Sequence, residues 1–252
     1  MVRRQDIVEF LDDLLDINDV SDHSVNGLQV QGCEEVRKVG LAVDAALSVY
    51  ERAIAEGCQM LVVHHGLIWG GLQRITDRNH AHVSRLIHSG LNLYAAHLPL
   101  DMSPDVGNNA LLCQMAGLVG IEPFGAYHGA KIGWKGALEV PCGISQFEDV
   151  WREQLGATPR TLPFGPELIR TVAIVSGGGT GALKEAIDEG IDCFVSGEGP
   201  HEKYHEALEG GIHLMYLGHY LTETVGVKAV GRSLIAEFPE LSTVFIDEPT
   251  GF

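Results

Sequence analysis

The sequence predicts an α/β protein made of two similar α/β lobes, and three observations carry that prediction. Short β-branched runs alternate with amphipathic stretches, the pattern of βαβ units around a largely parallel sheet. The alternation occurs twice, on either side of an irregular, Gly-rich segment at 124–142. The halves also align with each other: residues 39–66 fall on 172–199 without a gap, with Ala53-Ile54-Ala55-Glu56-Gly57 on Ala186-Ile187-Asp188-Glu189-Gly190. Self-similarity of this kind marks an internal duplication.

In chain order, Val39–Val43 is an apolar run of strand length, 46–56 is amphipathic and reads as a helix, and Met60–Val63 is a second strand. A helix at 80–89, a strand at Leu91–Ala96 and a helix at 105–116 complete the first half. The Gly-rich segment (Gly125, Gly129, Gly133, Gly136, Gly143) reads as antiparallel strands or a long connection. The second half repeats the pattern: strand Thr171–Val175, helix 181–189, strand Cys193–Ser196, helix 200–209, strand Ile212–Leu217, helix 219–237 and a final strand near 241–246. The expected division is a first lobe at 1–124, a second at 125–218 and a C-terminal helix and strand at 219–252 that complete the site.

Of the 252 residues 45% are hydrophobic, enough for a well-buried core. No run of about 18 apolar residues exists to span a membrane, and the N-terminal Met-Val-Arg-Arg-Gln-Asp-Ile-Val-Glu-Phe turns acidic where a secretory signal turns apolar. A soluble, cytoplasmic protein is expected. Five scattered cysteines never fall in C-x-x-C spacing, which argues against a thiolate zinc site and for small core residues. The net charge of -17 is dispersed and the 17 Lys and Arg residues form no basic tract. That argues against duplex nucleic acid as a partner; an aromatic content of 7% argues against stacking platforms for single strands.

Three pairs of candidate ligands sit at equivalent strand ends. His64-His65 follows strand Met60–Val63, at the carboxyl edge where open parallel sheets bind ligands. Alternating side-chain directions suit that pair to two neighbouring ions. His97 and Asp101 follow Leu91–Ala96, with Pro99 between them disfavouring a continuing helix and shaping a loop. His219 and Glu223, four apart, stack on one helical face. The duplication lays His97-x-x-x-Asp101 on His219-x-x-x-Glu223. Together His64, His65, Asp101, His219 and Glu223, with His97 close by, offer only nitrogen and oxygen donors, which suit zinc, manganese or ferrous iron. Five donors with two carboxylates would hold two ions about 3.5–4 Å apart.

Two other motifs compete for attention. His201-Glu202-Lys203-Tyr204-His205 spells the H-E-x-x-H of zinc peptidases, but Gly197, Gly199 and Pro200 stand directly before it and allow no preceding helical turn. The duplication nonetheless lays Gly197-Glu198-Gly199 on His64-His65-Gly66, which leaves open whether Glu198 or His201 borders the cleft; the metal itself is expected on residues outside this stretch. Ser176-Gly177-Gly178-Gly179-Thr180-Gly181 joins a strand to a helix and would be a place to look for a triphosphate. It lacks the Gly-Lys-Ser/Thr of a P-loop, and a tight turn is the simpler reading.

Asn26-Gly27-Leu28-Gln29-Val30, His64-His65-Gly66, His97-Leu98-Pro99-Leu100-Asp101, Gly107-Asn108-Asn109, Ser196-Gly197-Glu198 and Gly218-His219-Tyr220-x-x-Glu223 resemble the signature segments of a known family. These are the dinuclear-metal-centre proteins called GTP cyclohydrolase 1 type 2 homologs, or NGG-interacting-factor-three-like. The resemblance covers about 26 to 247. It implies a two-lobed α/β subunit with the metal site between the lobes, assembly as a toroidal homohexamer, and two divalent ions held by His64, His65, Asp101, His219 and Glu223. The activity it implies is metal-dependent hydrolysis of a small-molecule substrate such as a nucleotide, opening the guanine ring at C8. His97 would then be a proton shuttle or a hydrogen-bond partner of a ligating carboxylate, and Glu223 a catalytic as well as a ligating residue. The alternative is a non-enzymatic ring that binds or delivers metal, or binds nucleotide.

Overall fold

The structure is a computed structural model that describes residues 1–71 and 73–252. It comprises two compact units, one formed by Met1–Val106 with Gly226–Glu248 and the other by Gly107–Val225 with Pro249–Phe252. The sequence placed boundaries at 124 and 218. The first boundary falls earlier because the helix and the first long strand after Gly107 belong to the second unit's sheet and core. Most of the C-terminal helix and the last strand return to the first unit.

The first unit opens with β1 (Val2–Arg3) and α1 (Arg4–Leu14), whose Ile7, Val8 and Leu11 are buried, followed by β2 (Gly27–Val30) and β3 (Glu35–Val36). Its centre is β4 (Lys38–Asp44), α2 (Leu47–Ala55), β5 (Met60–His65), α3 (Asp77–Ser89) and β6 (Asn92–Ala95), ending in the short α4 (Leu98–Met102). The strands β4, β5 and β6 are parallel neighbours; β13 (Ser242–Phe245) extends the sheet beyond β4, and β2 lies antiparallel beyond β6. The continuous apolar runs of β4 and β5 follow from burial on both faces. Val49, Tyr50 and Ala53 of α2 and Leu86 of α3 close one face. Gly90, left-handed at φ 69°, ends α3 in the manner usual for helix C-termini.

The second unit begins with α5 (Asn108–Met115) and a long hairpin of β7 (Leu118–Tyr127) and β8 (Ala130–Cys142). The Gly-rich segment is thus antiparallel strands, turned by His128 (φ 46°) and Gly129 (φ 88°) between the paired residues Tyr127 and Ala130. Two successive positive φ values match the twist of the flanking strands. Then come α6 (Ile144–Gln154), β9 (Arg160–Pro163), β10 (Ile169–Val175), a 3-10 turn at Gly179–Ala182, α7 (Leu183–Asp188), β11 (Cys193–Ser196), α8 (Lys203–Gly210), β12 (His213–Tyr216) and α9 (His219–Thr222). The sheet order is β7-β8-β10-β11-β12-β9. Phe147 and Trp151 of α6 are fully buried in the core.

The duplication is visible in the registers. Val39 pairs with Met60 between β4 and β5, and Val172 pairs with Cys193 between β10 and β11. Those are the pairs that the ungapped alignment superposes. Each unit therefore carries three parallel strands in one order with a helix after each of the first two.

The single helix expected at 219–237 is two, α9 and α10 (Thr224–Glu237), interrupted at Glu223 (φ -104°, ψ 0°). The Thr222 hydroxyl lies 3.0 Å from the Gly218 carbonyl and 2.8 Å from that of His219, bonding that competes with the helical ladder. Among the described residues no helix is long and apolar enough to cross a membrane. Cys58, Cys113 and Cys193 are buried, while Cys142 is half-buried and Cys33 exposed.

Candidate functional site

In the first unit, β5 runs out into His64 and His65, and β6 leads through Ala96 to His97. Each imidazole is anchored through Nδ1. His64, wholly buried, donates to the Ala96 carbonyl at 2.9 Å. His65 donates to Asp44 Oδ1 at 2.9 Å, its own partner across the β4–β5 ladder. His97 donates to Asp22, with its Nδ1 3.0 and 3.1 Å from the two carboxylate oxygens. An Nδ1 used as donor puts the lone pair on Nε2, which is how ligating histidines are held. One ring nitrogen from each of the three lies within 4.8 Å of the others.

The alternation of a regular strand would send His64 and His65 to opposite faces. Their ring centroids are instead 4.7 Å apart. The ladder with β6 ends at Val63–Ala95, so no pairing on that side enforces the pleat through the two histidines. His97 joins them at 5.1 Å from His64, and Trp69 stands edge-on against it at 4.9 Å.

Asp101 is buried, with Oδ2 3.6 Å from His64 Nε2. Pro99 does not open a loop as expected: it occupies the first turn of α4, where its missing N–H costs nothing, and the Asp101 amide donates to the His97 carbonyl at 3.2 Å. One helical turn therefore brings Asp101 back beside the histidines.

In the second unit, His219 lies between two carboxylates, Nδ1 at 2.8 Å from Glu198 Oε1 and Nε2 at 3.1 Å from Glu223 Oε1. The pair is thus kept across the break after α9. Glu223 is 3% exposed. Its carboxylate, against the effect of burial and with Glu198 adding, pushes the His219 imidazole up to about 9. Glu198 is the residue that the duplication lays on His65. Its amide and that of Gly197 both donate to the Gly177 carbonyl, at 3.0 and 2.9 Å, which ties the end of β11 to the end of β10.

The Ser176–Gly181 loop is a packed turn. The Ser176 amide donates to Asn109 Oδ1 at 2.7 Å and the Gly177 amide to Thr222 Oγ1 at 3.0 Å, so these two amides are already used within the unit. Gly177 is left-handed at φ 56°, and a Cβ there would lie 2.1 Å from Glu223 Oε1. Only glycine lets the turn close over the His219–Glu223 pair.

Several residues at these ends were not singled out by sequence. Asp22 is the anchor of His97 and also accepts from Asn26 Nδ2 and the Leu98 amide, each at 3.0 Å. Burial opposes its charge, but these hydrogen bonds prevail and hold the carboxyl well below the usual range. Asn26 Oδ1 in turn accepts the His97 amide at 2.8 Å. Gln29 Oε1 accepts the amides of Leu67 and Ile68 at 2.7 and 3.0 Å, which fixes the chain leaving His65-Gly66. The Asn26–Val30 segment carried that signal as a motif without roles. Asp22 and Asp44 carried none.

His201 and His205 have rings perpendicular at 6.4 Å, and helix α8 starts only at Lys203. Among the described residues neither belongs to a group of three metal-donor side chains. The donors that do converge, imidazole nitrogens with carboxylate oxygens nearby, fit a divalent ion of the zinc, manganese or iron kind.

The family model for Duf34/NIF3 (NGG1p interacting factor 3) matches residues 2–251. A protein of Archaeoglobus fulgidus called GTP cyclohydrolase 1 type 2 homolog is 47% identical over 245 residues, covering 97% of this chain and 98% of that one. The crystal structure of a Thermus thermophilus protein superposes with a TM-score of 0.92 at 40% identity, over 100% of both chains. The structure of protein ybgI, described as of unknown function, does so with a TM-score of 0.91 at 31% identity, over 99% of both.

Proposed function

The chain belongs to the Duf34/NIF3 family, and on that premise we propose that it binds two divalent metal ions and uses them to hydrolyse a nucleotide, in the manner of a GTP cyclohydrolase. His64, His65, Asp101, His219 and Glu223, the residues that match the family's ligand pattern, would hold them. The observation that carries the reading is the convergence of ring nitrogens from His64, His65 and His97 within 4.8 Å, each imidazole anchored through Nδ1 to an oxygen. Divalent ions bound there would supply Lewis acidity and bring the pKa of water toward neutrality. His97, its Nδ1 committed to Asp22, offers Nε2 to a proton at the reacting centre. Glu223, nearly wholly buried and 3.1 Å from His219, would serve with Asp101 as one of two carboxylate donors.

The proposal extends to a soluble, cytoplasmic, toroidal homohexamer with a small-molecule substrate, as family signature segments at both strand ends support. Elemental analysis of the purified protein, followed by turnover assays on GTP, other nucleotides, phosphoesters and amides, tests it. About two equivalents of metal per chain with nucleotide turnover that Glu223→Ala abolishes is the expected result. Metal retained at that ratio without turnover across the panel overturns the hydrolase in favour of a metal-binding or metal-delivering ring.

A further inference from the structure

The His201–His205 segment, which lies outside the groups of three converging metal donors among the described residues, lines a cavity. A pocket of about 230 Å³ in the second unit is bounded by Arg160, Leu162, Gly199, His201, Tyr204 and Tyr216. It stands at the carboxyl ends of the parallel strands β11 and β12, the edge at which open α/β sheets bind ligands.

Its chemistry is specific. Arg160 and Tyr216 are direct cross-strand partners between β9 and β12, and Leu162 pairs with Leu214 two residues along. All four side chains therefore lie on one face of the sheet. Tyr216 and Tyr204 bring phenol rings to the pocket, and Tyr204 is braced edge-on by Phe164 at 5.1 Å and by His205 at 5.3 Å. Gly199 is required for closure, because a Cβ there would lie 2.6 Å from the Tyr216 hydroxyl. Arg160 makes no hydrogen bond or ion pair through its guanidinium among the described residues. Two carboxylates act on Tyr216: Glu206, which is already paired with Lys203 at 2.6 Å, and Glu202, which is exposed to solvent. In a chain of net charge -17, an uncommitted guanidinium beside two phenols and an imidazole is a receptor for an anion attached to a planar ring. The volume is below the roughly 300–1,000 Å³ of sites that enclose drug-sized ligands, so it suits one ring system with its charged group at the rim.

We propose that this pocket binds a phosphorylated heteroaromatic ligand of the nucleoside monophosphate class, with Arg160 on the phosphate and Tyr204, Tyr216 and His201 around the ring. The pocket stands apart from the hydrolase reading: it needs no turnover, and guanine nucleotide enters only as the probe.

Calorimetric titration of the purified full-length protein with GMP, guanosine and inorganic phosphate, with and without excess EDTA, tests this. GMP should bind with and without the chelator, and guanosine and phosphate should each bind at least about tenfold more weakly. Arg160→Ala should weaken GMP by about tenfold or more, Arg160→Lys by less, and Tyr216→Phe measurably. The exposed-cation control Arg232→Ala should leave binding unchanged. Failure of GMP to bind, binding abolished by EDTA in protein that circular dichroism shows still folded, guanosine binding as tightly as GMP, or unchanged affinity in Arg160→Ala would each overturn the assignment. Absence of turnover in the assays above leaves it untouched.

Discussion

The Asp22 carboxylate holds His97 from behind: its Oδ2 lies 3.0 Å from Nδ1, and the same oxygen accepts the amide of Leu98, the next residue, at 3.0 Å. One buried carboxylate thus fixes both the ring and the start of the helical turn that carries Asp101.

Asp22→Ala should remove these contacts at once and leave the Leu98 amide and Asn26 side chain without their acceptor. A loss of about 2–4 kcal/mol is expected, since each buried group left unsatisfied costs about 1–3 kcal/mol. Chemical denaturation measures it, and nitrogen NMR of the imidazole should show His97 no longer held with its proton on Nδ1. An unchanged His97 tautomer would remove Asp22 from the site.

Gly177→Ala should strike the His219–Glu223 pair directly, because the new Cβ would fall 2.1 Å from Glu223 Oε1 in a left-handed backbone position. Overpacking and backbone strain each cost about 1–3 kcal/mol, so about 2–6 kcal/mol together. Metal content per chain should fall alongside the melting temperature. Gly190→Ala is the companion variant: Gly190 is also left-handed, at φ 69°, but nothing lies within 4 Å of its Cβ position, so it should lose stability while keeping metal.

Asn109 is fully buried and bridges two elements, accepting the Ser176 amide at 2.7 Å and donating to the Ile132 carbonyl at 2.8 Å. Asn109→Leu preserves volume but loses both bonds. About 2–4 kcal/mol of stability should go with them, read from the denaturant midpoint at constant slope.

Acid should weaken the second unit through Glu185. Burial raises its pKa, but the Ala126 amide at 2.7 Å and the Lys131 ammonium together outweigh that and hold it below 4.5. A carboxyl depressed in the folded state contributes stability above its unfolded pKa and loses it as pH falls through the folded value. Melting temperatures between pH 7 and 3 should therefore drop more steeply for the wild-type chain than for Glu185→Gln below about pH 4.5, near the ordinary carboxylate pKa. Parallel curves would show that Glu185 contributes nothing to acid sensitivity.

The parallel core was legible because period and length are local properties. Val39–Val43 and Met60–Val63 are apolar along their whole length, as strands buried on both faces must be, and their observed bounds differ from the expected ones by a residue or two. The break at Glu223 was illegible for the opposite reason. No glycine or proline stands between His219 and Val225 to mark it, and the Thr222 hydroxyl that competes with the ladder is also held by the Gly177 amide, 45 residues away. Pro99 misled in the same way: a proline reads as a loop former until its place in a first helical turn is known.

What the sequence by itself determined was where the candidate donors fall: two copies of a strand-helix-strand unit, with His64, His65, His97, Asp101, His219 and Glu223 at strand ends. Only the tertiary structure decided how those side chains are held. His64 is anchored by Ala96, His65 by Asp44, His97 by Asp22 and His219 by Glu198, contacts that span 21 to 75 residues of chain. Side-chain spacing along a strand or helix is written in neighbouring residues. The direction of an imidazole lone pair is set by whichever distant oxygen folding brings to the other nitrogen.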